Sequence, residues 1–195
     1  MESFQTLRQQ IEALPEPERS ARRAFYTEAE WNSWELNAFP HQLPPLSNDW
    51  TIWSVTGGRR TGKTTAGVKW AANALSYNQH VGVVTYYADQ IESLVGLFMR
   101  EHDLRYMPFK GSHSVRLELK KGQGAIDIHP WKPSTHGDIL RGHNYTYIWG
   151  DELGDPGEVI QMTDHSVMQY CFTSPARIPE GERARHSIAG RPRVL

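Results

Sequence analysis

Eight consecutive residues in this chain have types and spacing suited to binding phosphate. They read GGRRTGKT and run from Gly57 to Thr64, which fits the phosphate-binding loop pattern G-x-x-x-x-G-K-[ST] at every fixed position. In such a loop the backbone N–H groups surround phosphate oxygens, the lysine, here Lys63, reaches the β- and γ-phosphates, and the hydroxyl of Thr64 ligates Mg²⁺. The sequence therefore predicts a site for a nucleoside triphosphate and Mg²⁺.

The segments on either side of this loop have the patterns that it requires. An apolar, β-prone run occupies residues 50–55, and residues 65–77, beginning with Thr65, have the pattern of a helix. Strand, loop and helix in that order bring backbone amides and a helix N-terminus together at phosphate. A chance glycine-rich turn is the alternative, and the agreement of the whole motif with both flanks disfavours it.

A pair of acidic residues supplies the second half of such a site. The run YIWGDE at 147–152 places Asp151 and Glu152 at the end of a predicted strand. Asp151 would bind the metal, directly or through water, and Glu152 would polarise the attacking water. Paired acids favour hydrolysis over transfer to a small substrate. The alternative is an exposed acidic turn after a strand.

Further polar residues lie where a nucleotide could use them. A guanidinium of Arg59 or Arg60 could stabilise charge on the γ-phosphate, or could pair with surface carboxylates. The Gln42 amide could recognise the adenine edge, or belong to an ordinary loop. The hydroxyls of Thr173 and Ser174 could sense the γ-phosphate, or end a strand. The candidate nucleotide-contacting residues are Gln42, Gly57, Gly58, Arg59, Arg60, Thr61, Gly62, Lys63, Thr64, Thr65, Asp151, Thr173 and Ser174, of which Lys63, Arg59 and Arg60 join Glu152 as candidate catalytic residues.

The elements that must position these residues alternate between strand and helix. After the loop, the pattern predicts strands at 81–86, 145–149 and 167–172, a helix at 88–100, and two adjacent strands or a hairpin at 114–119 and 125–129. This alternation predicts an α/β fold with a mainly parallel sheet and helices on both faces. Amphipathic spacing predicts a helix over 4–14, and a capping box starts another at Thr27, with Tyr26 and Trp31 as a hydrophobic staple. The predicted parts are an N-terminal helical extension at 1–45, a core at 46–178, and a basic tail at 179–195.

Composition excludes several classes of protein. The chain has 195 residues, 38% of them hydrophobic and 22% charged, with a net charge of -1. It has neither an apolar segment of the ~20 residues that a membrane helix needs nor a signal peptide. Its one cysteine, Cys171, excludes an intramolecular disulfide, fits a reducing cytoplasm, and is expected in a buried strand. The histidines lack zinc-site spacing, and Asp127 and His129 alternate along one strand in the pattern of a solvated face.

Taken in order, these motifs resemble the ATPase domain of the large terminase subunit, the DNA-packaging motor of tailed bacteriophages. The resemblance covers roughly residues 30–175. Besides the phosphate loop, which many families share, the segments that carry it are Gln42-Leu43-Pro44-Pro45, Leu140-Arg141-Gly142 ahead of Asp151-Glu152-Leu153, and Thr173-Ser174-Pro175.

The resemblance implies a P-loop NTPase of the ASCE type that hydrolyses ATP with Mg²⁺ and drives double-stranded DNA into a procapsid. It assigns Gln42 to an adenine motif, Arg59 to the loop arginine of the family, Asp151 and Glu152 to metal binding and catalysis, and Thr173-Ser174 to coupling. Its implied partners are DNA, the portal and procapsid, the small terminase subunit and other copies of the chain in a ring. Its implied location is the cytoplasm of the infected bacterium and, transiently, the portal. The candidate arginine fingers are Arg100, Arg105 and Arg141.

The chain also departs from that pattern. It ends at Leu195, which leaves no room for the lid and the RNase H-like nuclease of a large terminase, and the segment at 155–168 is short. We therefore expect no nuclease activity, with the nuclease on a separate polypeptide or removed. Two alternatives stay open: a helicase-like or other DNA-remodelling ATPase, and a nucleotide-binding assembly subunit with little turnover.

Overall fold

The computed structural model describes residues 5–47, 49–57, 60–109, 113–131, 140, 143–153, 159 and 167–174. The chain divides after Pro44 into two compact units. The first contains short helices, and the second contains a β-sheet with its helices.

Over residues 5–44 the first unit has four short helices and a 3-10 turn. They are α1 (Leu7–Glu12), α2 (Glu18–Arg23), α3 (Glu28–Trp31), α4 (Trp34–Asn37) and the turn Pro40–Gln42. The capping box at Thr27 is confirmed, because its hydroxyl accepts from the Glu30 N–H at 3.3 Å and the Glu30 carboxylate accepts from the Thr27 N–H at 2.8 Å. Helix α2 was not predicted, since it has no repeating apolar face, and the helix predicted to start at Thr27 is interrupted, so that it forms α3 and α4.

Trp31 is the centre of the small core of this unit. Its ring is buried with Ile11 and Leu36, and the Tyr26 ring lies 6.0 Å away between centroids, as the predicted staple requires. The Arg8 and Arg23 guanidiniums lie over the Trp31 ring at 5.2 and 4.5 Å from its centroid. Cation–π contact of this kind lets two charged residues cover an aromatic core.

In the part of the second unit that the structure describes, seven strands form one sheet, which confirms the predicted α/β class. Its strands are β1 (Ile52–Thr56), β2 (His80–Thr85), β3 (Leu104–Pro108), β4 (Val115–Leu119), β5 (Ala125–Pro130), β6 (Tyr147–Asp151) and β7 (Gln169–Ser174). Their order is β1-β7-β6-β2-β5-β4-β3. The first five in this order pair in parallel, whereas β4 pairs antiparallel with both β5 and β3.

Two helices of this unit, α5 (Lys63–Ser76) and α6 (Gln90–Glu101), contact each other and pack on the same face of the sheet. A Cβ at Gly67 of α5 would lie 2.1 Å from the Trp149 indole of β6, so only glycine permits this approach. On the same face the Phe98 ring of α6 lies 6.1 Å from Trp149 between centroids. Both helices therefore pack against the sheet at the Trp149 side chain.

The opposite face of the sheet is covered by a second group of buried apolar residues. They include residues of the strands and of the segments that follow them: Val84, Trp131, Leu140, Tyr145, Ile148, Leu153, Val159, Tyr170 and Phe172. Cys171 is fully buried in β7, as expected. Among the described residues, no helix is long and apolar enough to cross a membrane.

Asp127 and His129 of β5 do not lie on a solvated face, and that prediction is wrong. Both are buried, with exposed fractions of 0% and 2%. Arg116 donates two hydrogen bonds of 2.7 Å to the Asp127 carboxylate, and the imidazole of His80 lies 2.9 Å from it. An alternation of polar residues in the sequence does not show whether their side chains face water or polar protein groups. Neighbouring strands can supply such groups through the sheet register.

The proton positions in this buried network follow from its acceptors. The Tyr145 hydroxyl donates to the Asp127 carboxylate at 3.1 Å, so its oxygen accepts from Nε2–H of His129 at 2.7 Å. Burial lowers the pKa of His129 to about 4, so the ring is neutral near pH 7. Its Nδ1 then accepts from the Ser114 hydroxyl at 2.9 Å. Every polar group in this row is paired, which explains how it tolerates burial.

Candidate nucleotide-binding site

The described residues between β1 and α5 are Gly57 and residues 60–62. A Cβ at Gly57 would lie 2.8 Å from the Thr61 hydroxyl oxygen, so any larger residue there would displace the Thr61 side chain. Arg60 and Gly62 both have left-handed backbone, with φ of 63° and 78°, and Gly62 is the N-cap of α5. Left-handed positions of this kind occur in anion-binding nests, in which successive backbone N–H groups face a common centre.

The N-terminus of α5 faces the same loop. The N-cap glycine has no side chain to accept hydrogen bonds from the first-turn amides, which include that of Thr65. The first turn also has no acidic residue. An anion would be favoured there by the amides and by the helix dipole. Lys63, the first residue of the helix, donates from Nζ to the Gly57 carbonyl at 3.0 Å, so its ammonium group spans the loop.

The strand order brings the acidic pair beside this loop. β7 lies between β1 and β6, and the parallel strands all end at the same edge of the sheet. At that edge the Thr64 hydroxyl oxygen lies 3.4 Å from Oδ2 of Asp151. Residues 87 positions apart in the chain thus face each other across the candidate site.

Asp151 has the surroundings of a residue that binds a cation. The pKa of Asp151 is raised to about 6, chiefly by burial and also by the adjacent Glu152 carboxylate, which together outweigh the hydrogen bonds from Thr173 and Thr64 and the charge of Lys63. Mg²⁺ prefers oxygen ligands from one or two protein groups, completed by water and phosphate. The carboxylate and hydroxyl oxygens present fit that ion, whose charge would favour ionised Asp151.

Thr173 lies beneath Asp151 rather than at the surface of the site. Its hydroxyl donates to Oδ1 of Asp151 at 2.6 Å and accepts from the indole N–H of Trp149 at 2.7 Å. Thr173 is fully buried, and its carbonyl accepts from the Glu152 N–H at 2.9 Å. Ser174 is the last residue of β7, one position closer to the edge. Thr173 therefore connects the acidic pair to the core under α5.

Glu152 follows β6 directly, in an unusual backbone conformation. Its φ is 53°, in the left-handed region that costs a non-glycine residue energy. Its side chain is exposed at the sheet edge, and its Oε2 accepts a hydrogen bond of 3.1 Å from the Gln90 side chain. Strained backbone of this kind is concentrated at functional sites.

The structure also describes four other predicted residues, Gln42, Arg60, Arg100 and Arg105. Gln42 lies in the first unit, where its Oε1 accepts from the Phe39 N–H at 2.9 Å, and its adenine role stays a prediction. Arg60 is exposed at its left-handed loop position. Arg100 is at the C-terminal end of α6 and Arg105 is on β3, both exposed. The predictions for Gly58, Arg59, Arg141 and the tail at 179–195 lie outside the described residues.

Two residues at this edge were not predicted from the sequence. Thr85 ends β2 and pairs in register with Asp151, and Gln90 begins α6. The Thr85 hydroxyl contacts Oε1 of Gln90. Their position at the C-terminal end of a parallel strand was a usable signal, because that edge is where ligands bind in α/β sheets.

Neither a protein-family model nor a curated protein sequence matches the chain. Solved structures similar to it are large terminases of bacteriophages. One, from a thermophilic bacteriophage, has a TM-score of 0.47 and 14% identity over 72% of this chain and 36% of its own. The same terminase in complex with ADP has a TM-score of 0.48 and 14% identity, and the match covers 64% of this chain and 33% of the terminase. The ATPase domain of the Thermus phage P74-26 large terminase has a TM-score of 0.44 and 12% identity, and the match covers 68% of this chain and 61% of that domain. The chain thus spans about a third of the full-length terminases to which it is similar.

Proposed function

We propose that this chain is an ATP-hydrolysing motor domain that drives double-stranded DNA into a procapsid. The hydrolytic part rests on the approach of Thr64 to Asp151 at 3.4 Å, with Glu152 next in the chain at the same edge. The packaging part is supported by the order of the sequence motifs, from QLPP at 42–45 to TSP at 173–175. We place the motor in the cytoplasm of an infected bacterium, working at the portal with a small terminase subunit and other copies of itself.

In this proposal each part of the site has one task. The loop amides, the α5 N-terminus and Lys63 bind the phosphates, while Thr64 and Asp151 hold Mg²⁺, which neutralises charge on the phosphates when bound. Glu152 accepts a hydrogen bond from the attacking water and orients it toward the γ-phosphate. A loop arginine steadies the charge that develops there. Positioning and electrostatics supply most of the rate enhancement in such a site.

Phosphate release from Mg²⁺-ATP by the purified chain, with and without double-stranded DNA, tests the proposal. Glu152→Gln keeps the shape of the side chain but removes its charge, so turnover should fall by at least about a hundredfold while ATP still binds. Lys63→Ala should lose binding itself. Lys69→Ala is the matched control on the same helix, where Lys69 pairs with Glu101 at 2.7 Å, and should hydrolyse ATP normally.

Other outcomes would assign a different function. ATP binding without turnover, with or without DNA, favours the assembly subunit. Turnover coupled to strand separation favours a helicase-like enzyme. Hydrolysis that survives both Glu152→Gln and Lys63→Ala removes the site from the reaction altogether.

A further inference from the structure

A polar side chain from α6 reaches the proposed catalytic carboxylate. Gln90 is the first residue of α6, and its amide nitrogen lies 3.1 Å from Oε2 of Glu152, across 62 positions of the chain. Among the residues that the structure describes, Gln90 is the one side chain that donates a hydrogen bond to Glu152. The contact thus links the end of β6 with the start of the helix that follows β2.

The chemistry of the two groups fixes which way the Gln90 amide faces. An ionised carboxylate only accepts hydrogen bonds, so the amide nitrogen must face Glu152 and the amide oxygen must face away. That oxygen meets Thr85, whose hydroxyl donates to it. Thr85 is fully buried, so the amide is held at one end by a rigid strand and presents its N–H group at the other.

The sheet register sets the position of Thr85 relative to the proposed metal ligand. Thr85 of β2 pairs with Asp151 of β6, so the group that orients Gln90 stands level with the proposed metal ligand. Glu152 is the next residue after Asp151. Thr85 is therefore aligned with the part of β6 that positions the Glu152 carboxylate for contact with water.

The contact contributes little to holding the fold together. Glu152 is exposed, and hydrogen bonds between side chains reached by water stabilise proteins only slightly. A hydrogen bond at Oε2 does, however, restrict the rotation of the carboxylate and leaves Oε1 able to accept from a water molecule. Restriction of this kind matters for a group that must align a nucleophile.

We infer that Gln90 is a positioning residue, oriented by Thr85, that holds the Glu152 carboxylate in place to align the attacking water. The inference rests on the proposed function, in which Glu152 polarises that water. Gln90 acts only through Glu152, and Thr85 acts only through Gln90.

Steady-state kinetics of matched variants tests this chain of contacts. Gln90→Ala should lower kcat about tenfold, equivalent to about 1.4 kcal/mol, with the Kd for a fluorescent ATP analogue unchanged. Thr85→Val, close to isosteric, should lower kcat about threefold, and the double variant should be no slower than Gln90→Ala alone, because the two residues act in series. Glu92→Ala, at an exposed residue in the first turn of α6, is the control and should match the wild type. Additive losses, or an increase in Kd in place of a fall in kcat, would overturn the inference.

A measurement without nucleotide separates this inference from the proposed function. The side-chain amide signals of Gln90 in an NMR spectrum are identified as the pair missing from Gln90→Ala. They should shift in Glu152→Ala and in Thr85→Val but not in Glu92→Ala. Unmoved signals in Glu152→Ala refute the hydrogen bond whatever the activity. If instead the signals move but Glu152→Gln hydrolyses ATP at the wild-type rate, the catalytic role of Glu152 fails and the inference fails with it.

Discussion

The backbone of Glu152 allows its functional role to be tested through stability. A non-glycine residue in the left-handed region, here at φ 53°, costs about 1–2 kcal/mol. Glu152→Gly removes that cost, while Glu152→Ala keeps it, and both remove the carboxylate and its hydrogen bond to Gln90. Glycine also makes the unfolded chain more flexible, which costs the Gly variant about 0.4–1 kcal/mol relative to alanine.

The difference between these terms leaves the glycine variant more stable than the alanine variant by about 1 kcal/mol. For a chain of this length that corresponds to a rise in Tm of roughly 2–4 °C. Calorimetry without nucleotide measures it, and phosphate release from ATP measures the accompanying loss of turnover, which should be severe in both variants. A glycine variant that melts at or below the temperature of the alanine variant would show that the backbone at Glu152 is not strained.

Two further predictions concern the packing around the sheet. Burial raises the pKa of Asp127, but the hydrogen bonds from Arg116 and His80 outweigh it and hold the pKa well below its usual range. That stabilisation is present above the unfolded pKa of about 3.9 and is lost as the pH falls below it. Arg116→Met should therefore lower the free energy of unfolding in urea by about 3–5 kcal/mol at pH 7, with the gap from wild type narrowing as the pH falls; a gap independent of pH would contradict this. Gly67→Ala puts a Cβ 2.1 Å from the Trp149 ring and should cost about 3 kcal/mol in the same assay, whereas wild-type stability would mean that helix α5 can move away from the sheet.

The sequence was sufficient for the elements that carry local signals. The strand before the predicted phosphate loop and the helix after it were both predicted within a few residues, because glycine, lysine and threonine at fixed spacing have few structural uses. The pair of strands around residues 120–124 was predicted as well and is antiparallel. The edge strand β3 was missed, since its Arg105, Tyr106 and Met107 are exposed and carry no apolar alternation.

Contacts across strands could not be predicted in the same way. Asp127 was expected in water, because nothing local to β5 reveals that Arg116 lies opposite it on β4. Gln90 was overlooked for the same reason, since its partner Glu152 is 62 positions away. Local propensity describes one strand at a time, whereas these pairs depend on which strands are neighbours and on their alignment.

Register is also what gives the candidate site its geometry. Thr85, Asp151 and Thr173 pair with one another in a single row across β2, β6 and β7, and all three belong to hydrogen-bonded contacts around the acidic pair. Because successive side chains in a strand point to opposite faces, a slip of β6 by one residue would send Asp151 away from Thr64 and turn Trp149 away from α5. The packing of Gly67 against Trp149 opposes such a slip, since only that face accepts the helix so closely. The core under α5 therefore holds the carboxylate opposite the loop, and a substitution at Gly67 should disturb the site through Trp149 and Thr173 without touching nucleotide.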